Sequence, residues 1–141
     1  YDIFIANRNT LGQIDNIQRL TENHLLIFPD SYVVFTPDVS LTLTNYLSYY
    51  PSHVLLLNNL PSYNDEEGFV VLLNEKGEIL DEVDYHKEWH FSLLDNVEGV
   101  SLERVSPDGP SSSSENWHSA SSSVGYATPA YRNSQFLNFC Y

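Results

Sequence analysis

Phe69–Tyr85 reads FVVLLNEKGEILDEVDY, and the reading of this stretch decides the fold. Two runs rich in Val, Leu and Ile flank Asn74-Glu75-Lys76-Gly77, and Gly77 supplies the positive φ that a four-residue hairpin loop requires. In the second arm Ile79, Asp81, Val83 and Tyr85 share one face and Leu80, Glu82 and Asp84 the other, because side chains alternate along a strand. The alternation is imperfect, which puts one arm near a sheet edge.

Outward from the hairpin, toward the C-terminus, come an aromatic corner, KEWHFSLL (Lys87–Leu94), and a strand, VSLERV (Val100–Val105). In that strand Val100, Leu102 and Arg104 lie on one side and Ser101, Glu103 and Val105 on the other. A Pro-Asp-Gly-Pro turn and a run of serines follow, with Trp117 as the large side chain that pins this crossover to the core. One of Glu103 and Arg104 must point inward. The expectation is that Arg104 stacks on an aromatic, Trp117 first, or ties down loop carbonyls with its guanidinium; the functional alternative is a ligand-binding arginine. The apolar end, Phe136 to Tyr141, reads as a final strand or the start of a following segment.

Toward the N-terminus, Tyr1 to Ala6 and Ile14 to Leu20 read as strands, with a turn at Asn7 to Thr10. Ser31 to Thr36 and the short apolar run His53 to Leu57 read as two more, the latter buried. Between them Asp38 caps a helix with Val39, Leu43, Tyr46, Leu47 and Tyr50 on one face, ending before Pro51. Many short strands, turn signals between them and one short helix point to an antiparallel all-β sandwich or barrel in a single domain, 1–141. The aromatic share of 13%, with ten Tyr, suits pleated surfaces better than helices.

Nineteen acids against six bases give a formal charge of −13, which repels a phosphate backbone and an anionic bilayer, so the expectations are no nucleic acid and no membrane insertion. There is no run of 18 apolar residues. The single cysteine, Cys140, forms no intrachain disulfide and leaves the redox compartment open. The chain opens on Tyr1 and reads as a piece of something longer.

Taken in order, LPS at Leu60–Ser62 before an acidic loop, ILDEVDY, the Trp89-His90 pair, GVSLERV at Gly99–Val105, ENWHSA at Glu115–Ala120 and GYATPAYRNS at Gly125–Ser134 resemble the bacterial lamin tail domain family. The resemblance covers most of the chain, and its signature positions are Trp89, His90, Gly99, Leu102, Glu103, Arg104, Trp117, Gly125 and Pro129. It implies an immunoglobulin-like β-sandwich, an extracellular, cell-surface or periplasmic setting, and a non-catalytic structural or protein-interaction module without a cofactor. Members typically open with a strand carrying an Asn-Glu pair, followed by one like DIFIANR; here that first strand is absent, and Phe4 and Ile5 stand where a glutamate is usual. The expectation is therefore an unpaired N-terminal sheet edge, completed by strand addition from a protein partner, a neighbouring domain or a second copy. The alternative function is a carbohydrate-binding accessory domain with exposed aromatics.

Sharper chemistry is weakly supported. His86 and His90 flank Glu88, but the order is not that of HExxH. Asp65, Glu66 and Glu67 lack the alternating spacing of a calcium loop. Asp81, Glu82 and Asp84 read as outward strand acids rather than a glycosidase pair. The serines sit in no G-x-S-x-G turn.

Overall fold

The computed structural model describes residues 2–20 and 25–137. The chain is all-β with one short helix. Strands β1 (Ile3–Arg8), β2 (Ile14–Arg19), β5 (Glu67–Asn74) and β6 (Ile79–His86) form a four-stranded sheet in the order β2-β1-β5-β6, every pairing antiparallel. The hairpin closes as its sequence dictates: Gly77 adopts φ +78°, and Asn74 accepts backbone N–H groups of Lys76 and Glu78 on its Oδ1.

β1 pairs with β5 on one side and β2 on the other, so the expected unpaired N-terminal edge is corrected: the first strand is interior, and the edges are β2 and β6. The reason is local. Asn7 and Arg8 belong to β1, the turn runs through Asn9 to Gln13, and its tight closure (Gly12 N–H to Asn9 O, 2.9 Å) returns β2 alongside β1.

β3 (Val34–Thr36) and β4 (Val54–Leu56) make a two-stranded sheet that is parallel, an exception to the expected antiparallel plan. α1 (Val39–Asn45) is their crossover, as parallel neighbours require an intervening connection. Asp38 caps α1 as expected, its carboxylate accepting Leu41 N–H at 2.8 Å. The helix stops at Asn45 rather than running on to Pro51. Tyr46 turns extended and donates its hydroxyl to Gly99 O, and Ser48 donates to Pro129 O, so two tertiary bonds take over where helical ones would continue. In HVLLL only Val54 is buried; Leu56 is exposed.

β7 (Leu102–Arg104) and β8 (Trp117–Ser119) form an antiparallel ribbon facing the large sheet. The tightest packing centres on Ala6, Val71 and Leu73, all at most 2% exposed, with Phe4, Ile14 and Phe69 around them. Among the described residues no helix is long and apolar enough to cross a membrane. Phe139, Cys140 and Tyr141, part of the expected apolar end, lie outside the described residues.

Candidate functional site

A cavity of about 670 Å³ opens between the large sheet and the ribbon. Val70, Val83 and Tyr85 supply the sheet wall, Leu102 and Trp117 the ribbon wall, Tyr63 a further wall from the loop before β5, and Asn64, Asp65, Lys87 and His90 the rim. Strand periodicity puts these groups together. Val70 and Val83 are cross-strand partners, and Tyr85 stands two residues along the same face. Gly68 opposes Tyr85 and makes room for it: a Cβ at Gly68 would lie 2.7 Å from the Tyr85 hydroxyl oxygen. The ring therefore lies over the glycine, and its hydroxyl donates to Asn64 O.

Each aromatic is fixed at its polar end. Tyr63 donates to Ala6 O at 3.2 Å, and Trp117 Nε1 donates to Ser111 O at 2.8 Å. Trp89 stacks on Trp117 at 6.3 Å between ring centroids. Burial, reinforced by neighbouring Tyr85, pushes the Tyr63 hydroxyl up to about 12, so it stays a donor; burial raises Tyr85 too, with Asp65 adding to it. His90 is shifted the other way, lowered by desolvation, and enters the groove neutral at neutral pH. Its Nδ1 meets Ser119 Oγ at 2.8 Å. Nε2 of His90 and the Asp65 carboxylate carry no hydrogen bond among the described residues, and Asn64 commits only its carbonyl oxygens.

Ser119 and His90 do not make a nucleophile and base. Ser119 is buried, its Oγ already accepts Phe91 N–H at 2.9 Å, and it does not line the cavity. His86, the other histidine of the expected pair, lies 3.4 Å from both Glu67 and Asp84 instead. Among the described residues no three His, Cys, Asp or Glu side chains gather as metal ligands. In the acidic loop, Glu66 pairs with Lys87, which raises the lysine.

Of the signature positions, Leu102, His90 and Trp117 line the groove, and Trp89 backs it. Glu103 is the inward residue and is almost fully buried beneath the C-terminal segment. Its carboxylate accepts from Thr128 Oγ1, Ser134 N and Oγ, and Gln135 N. Arg104 does not stack on Trp117; it donates to Gly109 O and pairs with Asp81 at 3.3 Å, the second of the two expected roles. Asp81 is consequently not an outward acid: it faces the ribbon, and Ser111 Oγ also donates to it. Gly99 and Gly125 both sit at φ +75°, and Pro129 is buried and gives its carbonyl to Ser48. Sequence reasoning missed Tyr63 and Tyr85 as groove walls; the glycine opposite Tyr85 was the signal. It also missed Asn116, whose amide clips Ser106 N and O and Pro110 O. The chain matches no family model, no curated protein and no solved structure.

Proposed function

We propose that the chain is a non-catalytic binding module, of the lamin-tail type its sequence resembles, carried by an exported or surface-displayed bacterial protein, and that a neutral carbohydrate is the ligand of its aromatic groove. The observation that carries this reading is the cavity itself: about 670 Å³ walled by Tyr63, Tyr85 and Trp117, within the roughly 300–1,000 Å³ of ordinary ligand sites. Aromatic faces take the C–H surface of a sugar ring. Uncommitted groups at the rim, the Asp65 carboxylate, the Asn64 amide and His90 Nε2, suit its hydroxyls. A neutral ligand is not opposed by the net charge of −13.

The test is a calorimetric and tryptophan-fluorescence titration with neutral glucan, xylan, mannan and chitin oligosaccharides. The expected outcome is binding by at least one of them, abolished in Asp65→Ala, an exposed position whose loss leaves the fold intact. No binding at millimolar concentration, or unchanged binding in Asp65→Ala, rejects the reading.

A second reading keeps a protein partner or a second copy, moved from the N-terminus to β6. Ile79 and Leu80, at the exposed start of that edge strand, are 47% and 54% exposed. The acids Asp81, Glu82 and Asp84 on the same strand oppose indiscriminate addition. Concentration-dependent sedimentation lost in Leu80→Lys supports it; a monomer at all concentrations removes the second copy as the occupant.

A further inference from the structure

A second cavity, of about 360 Å³, lies away from the groove and is assembled from three segments distant in sequence: Asp30, Ser31 and Tyr32; Tyr50 and His53; Ala130, Tyr131 and Arg132. Three observations single it out.

The first is charge. Of the six bases, Arg8, Arg19, Lys87 and Arg104 each pair with a carboxylate, and Lys76, in the exposed hairpin turn, pairs with none among the described residues. In a chain with 19 acids, Arg132 pairs with none among the described residues. Its guanidinium lies over the Phe136 ring at 4.8 Å, a contact that holds the plane while leaving its N–H donors uncommitted. The second is backbone conformation. Among the described residues four non-glycine residues have positive φ, and two of them, Asp30 (+62°) and Ala130 (+64°), line this one cavity. An alanine in the left-handed region is held there by its surroundings: Thr128 is bonded to Glu103 and the Pro129 carbonyl to Ser48. The third is rigidity of the walls. Tyr50 stacks on His53 at 5.6 Å, and Tyr131 meets Tyr49 edge-on at 4.8 Å.

We infer that this cavity binds a small anion, a carboxylate or phosphate group on a compact ring, with Arg132 as its charge partner and the tyrosines as its walls. A planar guanidinium with free N–H groups receives such an oxyanion through two parallel hydrogen bonds. The ring is accommodated between Tyr32, Tyr50 and Tyr131. Asp30 brings an opposing charge to the same cavity and holds the affinity down.

The probes are phenyl phosphate, benzoate, inorganic phosphate and the neutral benzyl alcohol, titrated calorimetrically and by saturation-transfer NMR into the chain and its variants, with near-UV circular dichroism as the check on folding. Phenyl phosphate or benzoate binds, and Arg132→Gln weakens it by roughly tenfold or more, with Arg132→Lys in between. Asp30→Asn, which tolerates the same left-handed backbone, tightens it by about severalfold. Inorganic phosphate binding as tightly as phenyl phosphate shows that the ring contributes nothing and overturns the role given to the tyrosine walls. Benzyl alcohol binding as tightly as benzoate, an Arg132→Gln variant of unchanged affinity, or no binding of any anion at millimolar concentration overturns the proposal.

Discussion

The four-stranded sheet and the C-terminal third of the chain are held together by different physics. The sheet is a ladder: β1, β2, β5 and β6 exchange backbone hydrogen bonds along their lengths, and small and branched side chains, Ala6, Val71 and Leu73, close up between them. From β7 onward the strands shrink to three residues, and side chains replace the ladder. Glu103 gathers Thr128, Ser134 and Gln135; Asn116 clips the Ser106–Pro110 turn; Asn133 donates to Arg104 O; Trp117 and Arg104 hold Ser111 and Gly109 by their carbonyls. Short strands suffice where loop carbonyl and N–H groups find side chains, or isolated backbone partners such as Asn116 O for Val105 N–H, because the requirement is that buried polar groups be paired, not that strands pair them.

The contrast is broken most severely at Glu103. Glu103→Leu takes the acceptor from the Thr128 and Ser134 hydroxyls and from the backbone N–H groups of Ser134 and Gln135, and a loss of about 4 kcal/mol is expected in urea unfolding. Hydrogen-exchange protection should fall first over the Thr128–Gln135 segment. Leu73→Ala is the matched change in the sheet, costing about 3 kcal/mol through a cavity, with protection lost throughout the molecule. If the two variants lose protection in the same pattern, the regions are one cooperative unit and the contrast is static only.

A third variant sharpens the account of the crossover. A Cβ at Gly109 would lie 2.7 Å from the Asn116 amide, so Gly109→Ala displaces that clip, at a cost of about 2 kcal/mol. Asn116→Ala in the same background should then add little, since the two changes act on one contact.

The smallest effect is a pH slope. His90, buried enough to be lowered from its ordinary 6.5, stays neutral in the fold while the unfolded chain takes a proton. Its contribution is complete above 6.5 and is lost as pH falls through the folded value. The urea midpoint of the native chain should therefore drop more between about pH 7.5 and 5.5 than that of His90→Gln. Equal slopes would show that His90 does not take part.

These differences also explain what could be read from residues alone. The hairpin was legible because Gly77 and the flanking aliphatic runs are local signals, and Asp38 marked the helix start for the same reason. The parallel pairing of β3 with β4 was not: strand, helix and strand are each legible in order, but no local signal states that the two strands pair with each other. The resemblance implies an open edge beside β1, whereas the Asn9–Gln13 turn returns the chain to its own neighbour and leaves β1 interior. Glu103 and Arg104 were recognised as a pair facing opposite ways, yet which one is buried depends on donors 25 to 32 residues downstream. The groove was half legible: Trp117 and His90 stood out, but Tyr63 and Tyr85 become its walls only when the acidic loop folds back over Gly68.

Asp81 occupies a singular place in this arrangement. One of its oxygens receives both Arg104 from the ribbon and Ser111 from the crossover, while its backbone belongs to the sheet. The three parts therefore meet at a single atom, which ties the two sides of the opening to each other. For the ligand proposed for the groove, the consequence is a limit on girth: within a homologous series, affinity should fall as the guest thickens.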